Sequence, residues 1–331
     1  MASKPRLQEK PKPAKRDEPL VRERYAYVAG LTLNPDPGVD YSRVLSGPGQ
    51  RAATSVSGIA AAVLSYFFVY PLVMQLILLI GYVVRGRPTG VFLQYTKAAV
   101  AFEYPEGLLA SHMGLASLII VTMLLMKYAH QRDGKWLSSV QPGLRWRYLI
   151  LCLGISLIVM NAMYWVSAGR FEFVWNPQSD AVVWIALIVV TTPLQAAGEE
   201  YFFRGYLTQV VGSLIKWKWV SILASSLLFA LAHGIDLQNI PLFVTRFAFG
   251  LLMGVLIVYT GGLEAAIAAH VANNVSTFTY AALNGDVAGA RAITEATWEA
   301  AAWNIGAYAV TGVLCWLLGN KLRVAKYTPA L

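Results

Sequence analysis

Four groups of polar residues stand inside long apolar stretches of this chain, and the types and spacing in three of them suit acid–base chemistry. The first is Gly198-Glu199-Glu200-Tyr201-Phe202-Phe203-Arg204-Gly205; the second is Phe229-Ala230-Leu231-Ala232-His233. The third is His270-Val271-Ala272-Asn273-Asn274, and the fourth is Arg246, which stands alone. Ionisable side chains in hydrocarbon are costly, so each marks a candidate site. A desolvated carboxylate has its pKa raised, and a neighbouring imidazole can tune it for base duty near neutral pH.

Helical spacing gives each group a face. His270 and Asn274 are four residues apart and can aim two donors at one point. Glu200 and Arg204 share the same spacing, which suits an internal ion pair that neutralises one of the adjacent carboxylates. Glu199 projects about 100° away from Glu200, free to face His233. Taken singly, His233, His270, Asn273 and Asn274 read as interhelical hydrogen bonders, and Glu200–Arg204 as helix glue. Gly250 and Gly254 form a GxxxG that lets one helix pack closely, and Ser225, Ser226 and Ser276 read as small packing residues. His112 and His130 lie near span ends and read as incidental. Arg246 is expected to snorkel or to pair with Asp236.

The elements that carry these residues are membrane helices. Apolar residues make up 56% of the 331 and charged residues only 14%, well below the roughly 25% of soluble domains. Eight helical spans of about 20 residues follow: 57–84, 107–128, 147–168, 181–203 (continuing to about 214), 219–235, 241–260, 262–284 and 298–319. The fold class expected is all-α, a polytopic transmembrane bundle of about eight spans with a disordered basic N-terminal tail. The chain divides into that tail (1–55), a membrane domain (56–320) whose motif core is about 180–285, and a short basic C-terminus (321–331). The stretch from Arg85 to Glu106 is expected to hold a short interfacial helix.

Loop charge orients the bundle. Of 27 Lys and Arg residues, 21 fall in the segments assigned to the side of the termini and five on the other, so both termini are placed in the cytoplasm. Glu199, His233 and His270 then lie roughly 20, 18 and 12 Å from that face. Three helices converging at similar depth imply one buried polar site, expected to be reached from the cytoplasmic side. The tail holds ten Lys and Arg residues against six acids and reads as a polybasic arm at anionic lipid, with no nucleic-acid partner. Cys152 and Cys315 both sit in apolar runs, which argues against a disulfide framework or a cysteine-based zinc site.

In order and spacing, the three motifs resemble those of the CPBP family, the CAAX proteases and bacteriocin-processing enzymes, also called the Abi family. That pattern is EExxxR, then FxxxH, then HxxxN, here Glu199-Glu200 with Arg204, Phe229 with His233, and His270 with Asn274. Phe203-Arg204-Gly205 and Ala232-His233-Gly234 are also similar, and the likeness covers about residues 180–285. The resemblance implies a glutamic intramembrane endopeptidase. Glu199 would activate a water with the help of His233, and His270 and Asn274 would stabilise the oxyanion. Glu200 and Arg204 would orient the site, with Phe229 lining or supporting it. No cofactor is implied. Substrates would be membrane-tethered or prenylated peptides, and the setting a multi-pass protein of a bacterial inner membrane.

Two alternatives use the same residues. Glu199, His233 and His270 could bind zinc, whose water would then attack, although HExxH is absent. Alternatively, the protein could be a non-catalytic immunity or binding protein. A proton-coupled transporter has less support, because the sequence shows no paired broken helices or repeat halves.

Overall fold

A computed structural model describes residues 33–47, 49–88, 90–168, 174–234, 239–291 and 296–329. The helices are α1 (Ala52–Val84), α2 (Phe92–Val100), α3 (Pro105–Tyr128), α4 (Lys135–Ser138), α5 (Trp146–Ala168) and α6 (Ala181–Glu199). A π-helical segment, Glu200–Leu207, joins α6 to α7 (Thr208–Leu214). There follow α8 (Lys218–Ala232), α9 (Ile240–Thr260), α10 (Glu264–Leu283), α11 (Val287–Arg291) and α12 (Trp298–Lys321). The described residues contain no strand beyond two isolated bridges, so the architecture is the expected all-α bundle. All eight expected helices are present, and α2 is the short helix expected between Arg85 and Glu106.

Six stretches are long and apolar enough to cross a membrane: α1, α3, α5, the continuous rod Ala181–Leu214, α9 and α12. This is an integral membrane protein. The two remaining expected spans differ for physical reasons. Helix α8 is apolar but has only 15 residues. Helix α10 is buried from Glu264 to Ala272, His270 included, and beyond that Asn273, Asn274 and Thr277 line a cavity where a lipid-facing helix would carry leucines. At the other extreme, α1 turns Phe67, Phe68, Leu72 and Ile80 outward.

Helix α10 packs on α5 and α6, α3 on α1 and α6, and α12 on α5 and α9. Small residues permit the closest contacts. A Cβ on Gly250 would lie 3.0 Å from the backbone of Ser226, so the GxxxG face of α9 meets α8 as expected. A Cβ on Gly198 would collide with the carbonyl oxygen of Leu115, so only glycine lets α6 approach α3 one residue before Glu199.

The segments expected on the side of the termini meet at one end of the bundle. Arg145 makes a bidentate pair with Glu264 (Nε–Oε1 2.8 Å, Nη2–Oε2 2.6 Å), while its Nη1 donates to the carbonyls of Thr260 and Ala325. Val140 N–H donates to Gly261, and Thr328 N–H donates to Val39. Of the stretch assigned to the tail, residues 1–32 lie outside the described residues. The part from Asp40 onward is built into the bundle: Tyr41 and Ser42 are fully buried, and the Tyr41 hydroxyl donates to the Leu137 carbonyl.

Candidate active site

The rod that carries the paired glutamates changes pitch at them. Through Glu199 it is an α-helix; from Glu200 to Leu207 it is π-helical, and all eight of those residues are buried. The Thr208 hydroxyl donates to the carbonyl of Phe203, five residues back, in keeping with the wider turn. The angular spacing expected of an α-helix therefore ends at Glu200. Single π-turns of this kind are frequent at functional sites.

The structure gathers the three motifs. Glu200 Oε1 lies 2.8 Å from His270 Nδ1 and 3.2 Å from Arg204 Nη1. The other imidazole nitrogen of His270, Nε2, lies 3.5 Å from Glu199 Oε2. Arg204, Glu200, His270 and Glu199 thus form one row, with His270 between the two carboxylates. Arg204 is fully buried, its guanidinium 3.7 Å from the centre of the Phe229 ring, with Phe249 nearby at 5.3 Å. Phe229 thus stacks on the cation that holds Glu200.

His233 sits at the rim. Its Nδ1 is 2.9 Å from the Phe229 carbonyl oxygen, so Nδ1 carries the proton and Nε2 is the basic nitrogen. No hydrogen bond joins it to Glu199; the expectation that Glu199 faces His233 is modified, since the near imidazole is that of His270. Asn274 Nδ2 donates to Gln195 Oε1 (3.0 Å), Asn273 Nδ2 donates to Asn274 Oδ1 (2.9 Å), and the Tyr308 hydroxyl donates to Asn273 Oδ1 (3.0 Å). Gln195 and Tyr308 were missed from sequence. Gln195 is one helical turn before Glu199, a spacing that could have revealed it, whereas nothing in the sequence marks Tyr308 among 17 tyrosines.

Glu199, His233, His270 and Asn274 all line one cavity of about 620 Å³. Its floor is at mid-bundle, at Glu199 and His270. Its remaining walls reach Phe102, Arg246 and Arg291, toward the end of the bundle opposite the termini. The expectation that the site is reached from the side of the termini is therefore overturned. Distance along single helices from one face carries no information on which end of the bundle the cavity extends toward. The segments around Arg145, Glu264 and the chain ends contribute no residue to its lining. His112 also lines the cavity, with Nδ1 2.8 Å from Thr191 Oγ1, so it is less incidental than its position near a span end suggested. Asp236, the partner expected for Arg246, lies outside the described residues; Arg246 instead donates to the His233 carbonyl oxygen.

The zinc alternative needs Glu199, His233 and His270 as a ligand set. Among the described residues, no three His, Cys, Asp or Glu side chains are grouped to hold a metal ion. The two nitrogens of His270 are directed at two different carboxylates, an arrangement that does not suit one metal centre.

Residues 179–276, just under a third of the chain, match the model of the Rce1-like type II CAAX prenyl endopeptidases, which is the group the three motifs resemble. The segment is thus similar to the domain of a family of prenyl endopeptidases. The chain is also similar to the uncharacterized protein YyaK of Bacillus subtilis (strain 168), with 23% identity over 235 residues, covering 63% of this chain and 75% of that protein. No solved structure matches.

Proposed function

We propose that this protein is an intramembrane endopeptidase in which Glu199 activates a water molecule. The observation that carries the reading is that Glu199 Oε2 is buried, accepts no hydrogen bond from the protein and lines a cavity beside His270. Such an acceptor is costly unless it has work to do on a ligand. Glu199 takes a proton from water, the hydroxide adds to the peptide carbonyl carbon, and the carbonyl oxygen becomes the oxyanion. The proton then passes from Glu199 to the leaving amine as the C–N bond breaks.

The other residues follow from the row. Glu200, held by Arg204, orients His270 through Nδ1, which turns Nε2 toward Glu199. His270 and the second N–H of Asn274 serve as oxyanion donors, each worth about 3 kcal/mol in a water-poor site. His233, through Nε2, assists Glu199.

A membrane-tethered or lipidated peptide is the substrate that fits. Phe67 of α1 lines the cavity yet is 65% exposed, so the cavity reaches the lipid-facing surface. The charge bias supports cytoplasmic termini in a bacterial cell membrane, with the cavity facing the other side. The test is cleavage of a panel of membrane-tethered peptides by the purified protein in lipid. Wild type should cut and Glu199→Gln should not; equal cutting by both would refute the mechanism.

A further inference from the structure

Arg246 and Arg291 both line the cavity that holds Glu199, and neither makes an ion pair to an acid among the described residues. Arg246 is half-buried in α9, within electrostatic reach of both Arg291 and Glu199, and its one hydrogen bond goes to the neutral His233 carbonyl oxygen at 3.3 Å. Arg291, at the end of α11, lies over the Phe102 ring at 5.4 Å, an apolar support that leaves its donors directed elsewhere. Two buried arginines are treated differently: Arg145 has Glu264 and Arg204 has Glu200.

The two guanidiniums line one cavity, Arg246 half-buried and Arg291 exposed; their like charges repel, and an anion lying between them would relieve that repulsion. From these positions we infer that Arg246 and Arg291 form a carboxylate-recognition subsite, which selects peptides carrying a carboxylate close to the scissile bond. This rests on the protease reading, because a peptide is what makes the anion a carboxylate. The carboxylate is either the chain terminus or an acidic side chain. A guanidinium takes it through two parallel N–H···O bonds, which an amide cannot reproduce. The subsite lies on the mouth side of Glu199, so the anionic end of the substrate stays near the opening while the cleaved bond reaches the floor.

Glu199→Gln protein in zwitterionic nanodiscs separates binding from cleavage. Three N-acylated fluorescent peptides of one sequence are titrated: a free C-terminal acid, its C-terminal amide, and the amide with a glutamate two residues from the end. At least one carboxylate peptide should bind roughly tenfold tighter than the plain amide. Adding Arg246→Gln or Arg291→Gln should reduce that preference to about threefold or less, and Arg246→Lys should restore part of it. Which carboxylate peptide gains tells the terminus from the side chain. Equal affinity for all three, no binding of any, or a preference unchanged by both arginine substitutions would overturn the subsite. A carboxylate preference without cleavage of any peptide by wild type would remove the protease reading and leave this one standing; cleavage without the preference would do the reverse.

Discussion

His270 Nδ1 lies 2.8 Å from Glu200 Oε1, and that carboxylate is in turn held 3.2 Å from the buried Arg204. The neighbouring Glu199 has no such anchor, and its Oε2 accepts no hydrogen bond. Each glutamate has one oxygen without a hydrogen bond, but of the two only Glu200 is held by a cation and only Glu199 lines the cavity. One is fixed by a cation and an imidazole, and the other is left to interact with a ligand.

The contrast predicts different outcomes for matched substitutions. Glu200→Gln leaves the buried Arg204 unpaired and should cost about 3 kcal/mol of stability, with kcat/KM down roughly 10²–10³-fold as His270 loses its orientation. Glu199→Gln should leave the melting temperature in detergent nearly unchanged while abolishing cleavage. Matched melting curves and rates on the two variants check this. If Glu200→Gln melts like wild type, the Arg204–Glu200–His270 row is not what holds the site.

Helix existence and the convergence of the motifs were legible because both follow from short-range spacing. Apolar runs set the helices, and His270 and Asn274 share a face by periodicity alone. Three features were not legible. The π-turn at Glu200 depends on how α6 is clamped against α3 at Gly198, a tertiary contact. The burial of α10 from Glu264 to Ala272 is likewise a property of its neighbours. The direction in which the cavity extends, away from Arg145, Glu264 and the docked chain ends, depends on how the helices pack together, and periodicity along single helices contains no record of that.

Gly198 supplies a second prediction. Its missing side chain lets α6 touch the backbone of α3 at Leu115. Gly198→Ala should force the helices apart, costing about 1–3 kcal/mol and moving Glu199 relative to His270, with activity lost out of proportion to stability. Gly254→Ala, which meets the side chain of Ile222 away from the cavity, should cost stability with a much smaller loss of rate. Equal rate losses in the two variants would deny Gly198 a positioning role.

His130 lies outside the membrane-spanning segments, with Nε2 2.9 Å from the Tyr206 hydroxyl. Burial, and secondarily the charge of Arg132, pushes its pKa down to about 4. The folded protein therefore keeps His130 neutral in a range where the unfolded chain, near 6.5, takes up a proton. Its contribution to stability is fully present above pH 6.5 and is lost as pH falls toward 4. Melting temperature in detergent should drop between pH 7 and pH 5, and His130→Gln should flatten that segment of the profile.

Metal dependence can be tested directly. The donors Glu199, His233 and His270 share a cavity without forming a ligand cluster, and His270 is committed to two carboxylates. Cleavage should therefore persist, within about twofold, after exhaustive chelation and dialysis. A loss of activity restored by added zinc would instead mean that the side chains regroup around a metal.

The last prediction concerns the side from which the cavity is reached. Its lining includes the buried Phe102 and the exposed Arg291, from segments at the end of the bundle opposite the docked chain ends. The basic residues cluster with the chain ends, which positive-inside orientation assigns to the cytoplasm. With the orientation proposed above, the opening is on the non-cytoplasmic side. Cys152 and Cys315 are buried, so a single introduced cysteine can report on access with little background. Arg291→Cys, at an exposed position of the cavity wall, should react in whole cells with a membrane-impermeant thiol reagent. A cysteine replacing Lys326, in the C-terminal segment, should react only after the cells are opened. The reverse pattern would invert the protein in the membrane and direct its cavity at cytoplasmic substrates.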